Sequence, residues 1–151
     1  MRRWITALSY AYALGVLAVT ILPIKPHPDS YWNGVPWWTM VHYVPFVVDA
    51  PSMLLNVIMF VPFGLLVPLR WPRTDSFDRI LGYGVAASAV IETAQLILML
   101  TLGSRRTVDI NDLIANGAGA VAGLLLLRLA VPDPAHRARF TRRDAGTPRS
   151  R

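Results

Sequence analysis

The sequence contains no cysteine, which excludes a disulfide framework, a thiolate nucleophile and any metal site built on Cys. Charge is also scarce: 16% of the residues are Asp, Glu, Lys or Arg, whereas a soluble globular domain carries about 25%. The apolar residues are not spread in an amphipathic pattern but are grouped in long blocks. The shortage of charge therefore favours a membrane protein over a soluble globule.

Familiar catalytic motifs are missing as well. There is no P-loop, no G-x-S-x-G elbow and no H-E-x-x-H pair. His27, His42 and His136 lie far apart without the spacing of metal ligands, and no role is assigned to them. The sequence gives no reason to expect a cofactor.

Four apolar blocks make up most of what is present, over residues 4–22, 52–69, 80–102 and 113–131. An α-helix rises about 1.5 Å per residue, so each block is long enough to cross a hydrocarbon core of about 30 Å. Arg2 and Arg3 resemble the start of a secretory signal, but the run is too long and lacks a small-x-small site before Pro23. The predicted fold class is all-α, an integral membrane bundle of four transmembrane helices with an uncleaved first span.

The basic residues are divided unevenly between the segments that flank these blocks. If the N-terminus is inside, twelve Lys and Arg residues lie in the inner segments. Three lie in the outer segments, namely Lys25, Arg105 and Arg106. Because cytoplasmic segments carry the excess of basic residues, both termini are predicted to be cytoplasmic.

The chain divides into a transmembrane domain over residues 1–131 and a tail over residues 132–151. The tail is rich in Arg and Pro and has no apolar periodicity, so it is predicted to be disordered. A formal net charge of +6 would suit nucleic acid or an anionic membrane surface. Since the charge lies beside membrane spans, membrane lipids are the expected partner and nucleic acid is not.

Polar residues inside or beside the spans are the candidates for a functional site, because a charge at the centre of a membrane helix costs roughly 2.5–3.5 kcal/mol on insertion scales. Glu92 and Gln95 share one face of the third block, in its outer half. Positions 109, 112 and 116 have the spacing i, i+3, i+7, which places two carboxylates and an amide along one stripe of a helix. We expect an outward-open polar pocket, with Glu92 at its floor, formed by Asn56, Glu92, Gln95, Arg105, Arg106, Asp109, Asp112 and Asn116.

Each of these residues also has a purely structural interpretation. Asp109 and Asp112 precede an apolar run and nearly form a capping box, in which carboxylates accept hydrogen bonds from the free amides of a helix start. Glu92 could be protonated or could pair with Arg105 or Arg106. The two amides, of Asn56 and Asn116, could hydrogen-bond across helices.

The fourth block begins with small residues. Gly119 and Gly123 form a G-x-x-x-G pair, and Ala115 lies one turn before them. Such a face lets two helix backbones approach closely. Packing inside the bundle is the predicted use, and self-association into a homo-oligomer is the alternative.

Three ordered motifs resemble the signature of the VanZ-like family. They are Asn-Val-Ile-Met-Phe-Val-Pro-Phe-Gly from Asn56, Glu-Thr-Ala-Gln from Glu92, and Arg-Thr-Val-Asp-Ile-Asn-Asp-Leu-Ile-Ala-Asn-Gly-Ala-Gly from Arg106. The resemblance covers residues 5–131. It implies a bacterial inner-membrane protein of the cell envelope, related to an accessory protein associated with teicoplanin resistance, a form of antibiotic resistance. It implies no particular mechanism.

Three classes of function fit these features. The first is a non-enzymatic envelope protein that binds an anionic amphiphile or a glycopeptide, with Arg105 and Arg106 meeting the anion. The second is a membrane-embedded enzyme for a lipid-linked substrate, with Glu92 as general base and the Asp109 and Asp112 carboxylates holding a divalent cation. The third is an ion or proton pathway, which is the weakest because nothing polar continues from Glu92 towards the cytoplasm. The sequence favours the first class.

Overall fold

The computed structural model describes residues 2–22, 36–47, 49–102 and 108–139. Within these residues the long helices are α1 (Arg2–Ile21), α2 (Ala50–Arg70), α3 (Phe77–Leu102) and α4 (Ile110–Ala130). Each of the four contains a stretch that is long and apolar enough to cross a membrane. The predicted all-α bundle of four membrane-spanning helices is confirmed.

Short elements connect the long ones. Two residues of β1 (Val41–His42), ahead of α2, pair in parallel with two residues of β2 (Val108–Asp109), ahead of α4. A six-residue helix, α5 (Pro134–Arg139), follows α4. The β1–β2 pair therefore ties together the chain segments that lead into α2 and α4.

All four helices begin two or three residues before the apolar blocks do. The first turn of a helix holds residues that cap it, so these residues need not be apolar. Asp49 caps α2 by accepting a hydrogen bond of 3.1 Å from the backbone N–H of Ser52. Pro51 fits in the same turn because its missing N–H would have no helical partner there.

The centre of the bundle is the contact between α2 and α4. A Cβ added to Gly119 would lie 2.2 Å from the carbonyl oxygen of Val57, and one added to Gly123 would lie 2.1 Å from that of Val61. The contact advances by one turn on both helices at once, so α2 and α4 run parallel. The glycine pair is used for packing inside the bundle, as predicted.

The first helix lies at the edge of the bundle. In α1, 11% of the membrane-spanning window is buried, against 44% in α4. Hydrogen bonds between described residues attach α1 to its neighbours: Tyr12 Oη donates to the carbonyl of Met59 and Gln95 Nε2 donates to that of Thr20, each at 2.9 Å. An apolar side chain such as Leu14, which is 67% exposed, faces outward where lipid would lie.

The end of the bundle that carries the start of α1 and the end of α4, the termini end, is closed by an ion cluster. Asp75, between α2 and α3, accepts hydrogen bonds from Nε of Arg128 at 3.0 Å and from Nε of Arg137 at 2.8 Å. Arg137 also donates to the carbonyls of Val131 and Pro132 and is buried. Residues 134–139 of the predicted disordered tail form α5, and Asp75 gives Arg137 a tertiary partner. The division of the chain at residue 132 and the disorder of the tail stay predictions. The last twelve residues, 140–151, lie outside the described part of the chain.

Candidate functional site

The described polar residues that were predicted from the sequence come from three helices and from β2, and they lie towards the end of the bundle opposite the termini end. Six of the eight are described: Asn56 on α2, Glu92 and Gln95 on α3, Asp109 on β2, and Asp112 and Asn116 on α4. The other two predicted residues, Arg105 and Arg106, lie outside the described residues. An anion-binding role for them therefore stays a prediction.

The closest link among these residues joins α2 to α4. Nδ2 of Asn56 donates a hydrogen bond to Oδ1 of Asp112, whose side chain is half-buried. This hydrogen bond from the amide of Asn56 stabilises the Asp112 carboxylate, which has lost part of its hydration on burial. The interpretation of Asn56 as a residue that hydrogen-bonds across helices is confirmed.

The start of α4 is fixed by Asp109 and Glu92. Oδ1 of Asp109 accepts hydrogen bonds of 2.8 Å from the backbone N–H and from the side-chain amide of Asn111, so Asp109 is the N-cap of α4. Oε2 of Glu92 accepts a hydrogen bond of 3.2 Å from the backbone N–H of Asp109. The capping interpretation is confirmed for Asp109, while Asp112 serves as a partner of Asn56.

The side-chain amides of Asn116 and Gln95 form their hydrogen bonds with residues outside the group of Asn56, Glu92, Asp109 and Asp112. Nδ2 of Asn116 donates to Oγ of Ser88 on α3 at 2.8 Å, and its Oδ1 has no hydrogen-bond partner among the described residues. Gln95 holds Thr20 of α1 through its Nε2. The predicted stripe of residues 109, 112 and 116 is therefore divided, because Asn116 turns towards α3.

A cavity of about 560 Å³, the acidic chamber, opens where β1 meets the starts of α2 and α4. Carboxylates of Asp49, Asp109 and Asp112 line it, and Nδ1 of His42 lies 3.7 Å from Oδ2 of Asp109. None of the described residues that line the chamber is Lys or Arg. Glu92, which the sequence predicted as the floor, does not line it, because its carboxylate faces the backbone of β2.

The wall of the chamber beyond β1 is held by Asn111. This residue is 3% exposed, and its Oδ1 accepts a hydrogen bond of 2.7 Å from the backbone N–H of Phe46 while its Nδ2 donates to the carbonyl of Val44 at 3.1 Å. Phe46 has a positive φ of 66°, which is uncommon for a bulky side chain. Asn111 therefore fixes a strained loop against α4.

Of the residues that line the chamber, sequence reasoning selected Asp109 and Asp112 and missed the other polar ones, which include His42, Asp49, Ser52 and Asn111. The sequence offered the least indication for His42, since no sequence feature shows that residue 42 lies beside residue 109. Asn111 lies inside a motif that had been singled out, between Asp109 and Asp112, but it falls off the stripe used to select residues. Asp49 could have been found as a cap immediately ahead of α2.

A second cavity, of about 620 Å³, lies between α1 and α2 and is named the α1–α2 cleft. Its walls are mainly apolar, and Gln95 and Asp112 reach it from α3 and α4. Ser52 and Asp112 line both this cleft and the acidic chamber. A cavity lined by three Asp residues and a mainly apolar cavity therefore adjoin at these two residues.

The hydrogen-bonding groups that line the chamber determine which ligands it can bind. Within the described ranges, no three His, Asp or Glu side chains are grouped so that they could hold a metal ion. Asp109 and Asp112 instead accept hydrogen bonds from Asn111 and Asn56. The carboxylates are arranged to accept further hydrogen bonds and to attract positive charge.

Comparison with known proteins adds one result. The sequence model of a protein family described as VanZ/LLP1 matches residues 9–131. This range includes most of α1, all of α2 to α4 and every residue of the predicted polar site. Neither the curated proteins nor the solved structures give a significant match.

Proposed function

The chain belongs to the VanZ/LLP1 family and is a multi-pass membrane protein, and on that premise we propose that it binds an amphiphile from the outer leaflet of the bacterial inner membrane. In this role it is a binding protein of the cell envelope and not an enzyme. Protection against a glycopeptide such as teicoplanin, which the family name suggests, is the physiological part of the proposal.

One observation carries the proposal: the acidic chamber and the α1–α2 cleft adjoin at Ser52 and Asp112. An amphiphile needs a polar compartment for its headgroup and an apolar one for its chain. Ligand sites are commonly concave, mainly apolar and supplied with a few well-placed polar groups. The two cavities together have this composition.

The sidedness of the site rests on the distribution of basic residues. Within the described ranges the Arg residues lie at the termini end of the bundle, among them Arg70, Arg73 and Arg128. Under the positive-inside rule this end faces the cytoplasm. The acidic chamber at the opposite end then faces the periplasm, where an extracellular antibiotic or an outer-leaflet lipid would arrive.

Susceptible bacteria that express the chain provide the test of function. We expect cells with the parent protein to tolerate more teicoplanin than cells with Asp112→Asn, because the neutral side chain weakens the headgroup site. Asp78→Asn is the matched control, since Asp78 is exposed at the start of α3 and lines neither the acidic chamber nor the α1–α2 cleft.

Membrane abundance is measured for each variant so that loss of protein is not mistaken for loss of function. Native mass spectrometry of the parent protein in lipid then identifies a co-purifying amphiphile. Equal teicoplanin tolerance for parent and Asp112→Asn at equal abundance, with no retained amphiphile, contradicts the proposal.

A further inference from the structure

We propose that the acidic chamber and the α1–α2 cleft hold a single amphiphile, with an amine-bearing headgroup in the chamber and one alkyl or acyl chain between α1 and α2. This inference rests on the proposed function and specifies the chemistry of its ligand.

Charge selects the headgroup. Asp49, Asp109 and Asp112 line the chamber, and no described lining residue is Lys or Arg. Hydrogen bonds between an ammonium group and a carboxylate are roughly twice as strong as neutral ones. The chamber therefore favours an ammonium group over a phosphate or a carboxylate.

The position of Asp112 joins the two compartments. Its carboxylate lines the chamber and also reaches the cleft, where Asn56 holds it in place. A cationic nitrogen bound to Asp112 would sit at the junction, with its substituent chain entering the cleft. Ser52 lines the same junction and supplies a hydroxyl group.

The length of the cleft indicates the kind of alkyl or acyl chain that fits it. Its α2 wall runs from Ser52 to Pro62, which is about 15 Å at 1.5 Å per residue. Half of a hydrocarbon core of about 30 Å is the depth of one leaflet. The cleft therefore has the depth of a single chain that belongs to the outer leaflet.

Gln95 adds a polar side chain to the mainly apolar wall of the cleft. Gln95 is 7% exposed and lines the cleft, and its Nε2 donates to the carbonyl of Thr20. A hydroxyl or amide N–H of the ligand near the headgroup would have the oxygen of this amide as a hydrogen-bond acceptor.

Gly15 makes the chain compartment testable. It lines the cleft, and a Cβ added to it would meet no atom within 4 Å. Gly15→Leu therefore adds a side chain inside the cleft, and its Cβ has open space. Gly82 is the matched control, because a Cβ there also meets no atom within 4 Å and the residue lines neither the acidic chamber nor the α1–α2 cleft.

The probes are dodecylammonium, dodecanol and dodecyl phosphate, which share one alkyl chain and differ in head charge. The purified full chain in phosphatidylcholine nanodiscs is exposed to equal amounts of all three, and retained molecules are counted by native mass spectrometry. We expect dodecylammonium to be retained about tenfold over the other two, as one charge-assisted hydrogen bond would give. The net charge of +6 would produce the opposite order by non-specific attraction, so the two causes are distinguishable.

The variants separate the two compartments. Asp112→Asn should remove the preference for dodecylammonium, and Gly15→Leu should reduce retention of every probe while Gly82→Leu behaves as the parent. Ethylammonium at the same concentration should not displace dodecylammonium, because it has no chain for the cleft.

Either of two results overturns the inference: equal retention of the three headgroups by the parent protein, or unchanged retention in Gly15→Leu. If the protein still retains a native amphiphile in those cases, the proposed function stands and only this ligand class is wrong. If it retains no amphiphile at all, the proposed function fails with it.

Discussion

The side-chain amide of Asn56 on α2 donates a hydrogen bond to the carboxylate of Asp112 on α4, near the start of both helices. This bond crosses the central contact of the bundle at the level where the acidic chamber meets the α1–α2 cleft. It therefore contributes both to the packing of α2 on α4 and to the placement of the carboxylate.

Removing the donor should destabilise the protein. Asn56→Leu leaves Asp112 half-buried without this hydrogen bond, and we expect a loss of about 1–3 kcal/mol in the free energy of unfolding. Reversible unfolding in mixed micelles, followed by tryptophan fluorescence, measures this loss.

The double variant Asn56→Leu with Asp112→Leu is the control for the pair. Replacing both partners by apolar groups removes the unsatisfied carboxylate, so part of the stability should return. Additive losses in the double variant would show that the two side chains are not coupled.

The close approach of α2 and α4 gives a second prediction. A Cβ on Gly64 would lie 1.9 Å from the carbonyl oxygen of Ala120, a contact that only backbone movement can relieve. We expect Gly64→Ala to cost about 1–3 kcal/mol of unfolding free energy, the usual range for overpacking. Thermal unfolding in the same micelles is the measurement.

Gly82→Ala is the matched substitution in open space. A Cβ there meets no atom within 4 Å, and alanine is favoured over glycine in a helix interior by roughly 0.5–1 kcal/mol. Gly82→Ala should therefore stabilise the protein slightly. A loss of stability in Gly82→Ala as large as in Gly64→Ala would refute the assigned contact.

The ion cluster at the termini end gives a third prediction. Asp75→Asn removes the charge that holds Arg128 and Arg137, so α5 should separate from the bundle more often. We expect trypsin to cleave the purified variant after Arg137 several times faster than it cleaves the parent protein. The comparison variant is Asp78→Asn, whose exposed side chain makes no ion pair with a described residue, and cleavage at the parent rate in both variants would disprove the role of Asp75.

The helices could be predicted because hydropathy and length decide whether a segment spans a membrane, whatever its neighbours are. The same holds for the glycine face of α4, since closely packed helices require small residues. Capping by Asp109 followed from its place ahead of an apolar run. These features depend on local sequence.

Other features depend on tertiary contacts and were not predictable. The rotation of α4 turns Asn116 towards Ser88, although spacing alone placed it with Asp109 and Asp112. The role of His42 requires the pairing of β1 with β2, which only two residues of each strand make. The contact between α5 and Asp75 joins two residues that are 62 positions apart in the chain, and composition alone does not indicate such a partner.

The central claim is that the acidic chamber faces the periplasm, and single-cysteine labelling tests it most directly. The chain has no native cysteine, so Thr39→Cys, close to β1, and Asp78→Cys, at the termini end, can each be labelled alone. Both positions are exposed. In intact cells a membrane-impermeant maleimide should label Thr39→Cys at once and Asp78→Cys only after lysis. The reverse pattern would place the chamber in the cytoplasm and contradict the account.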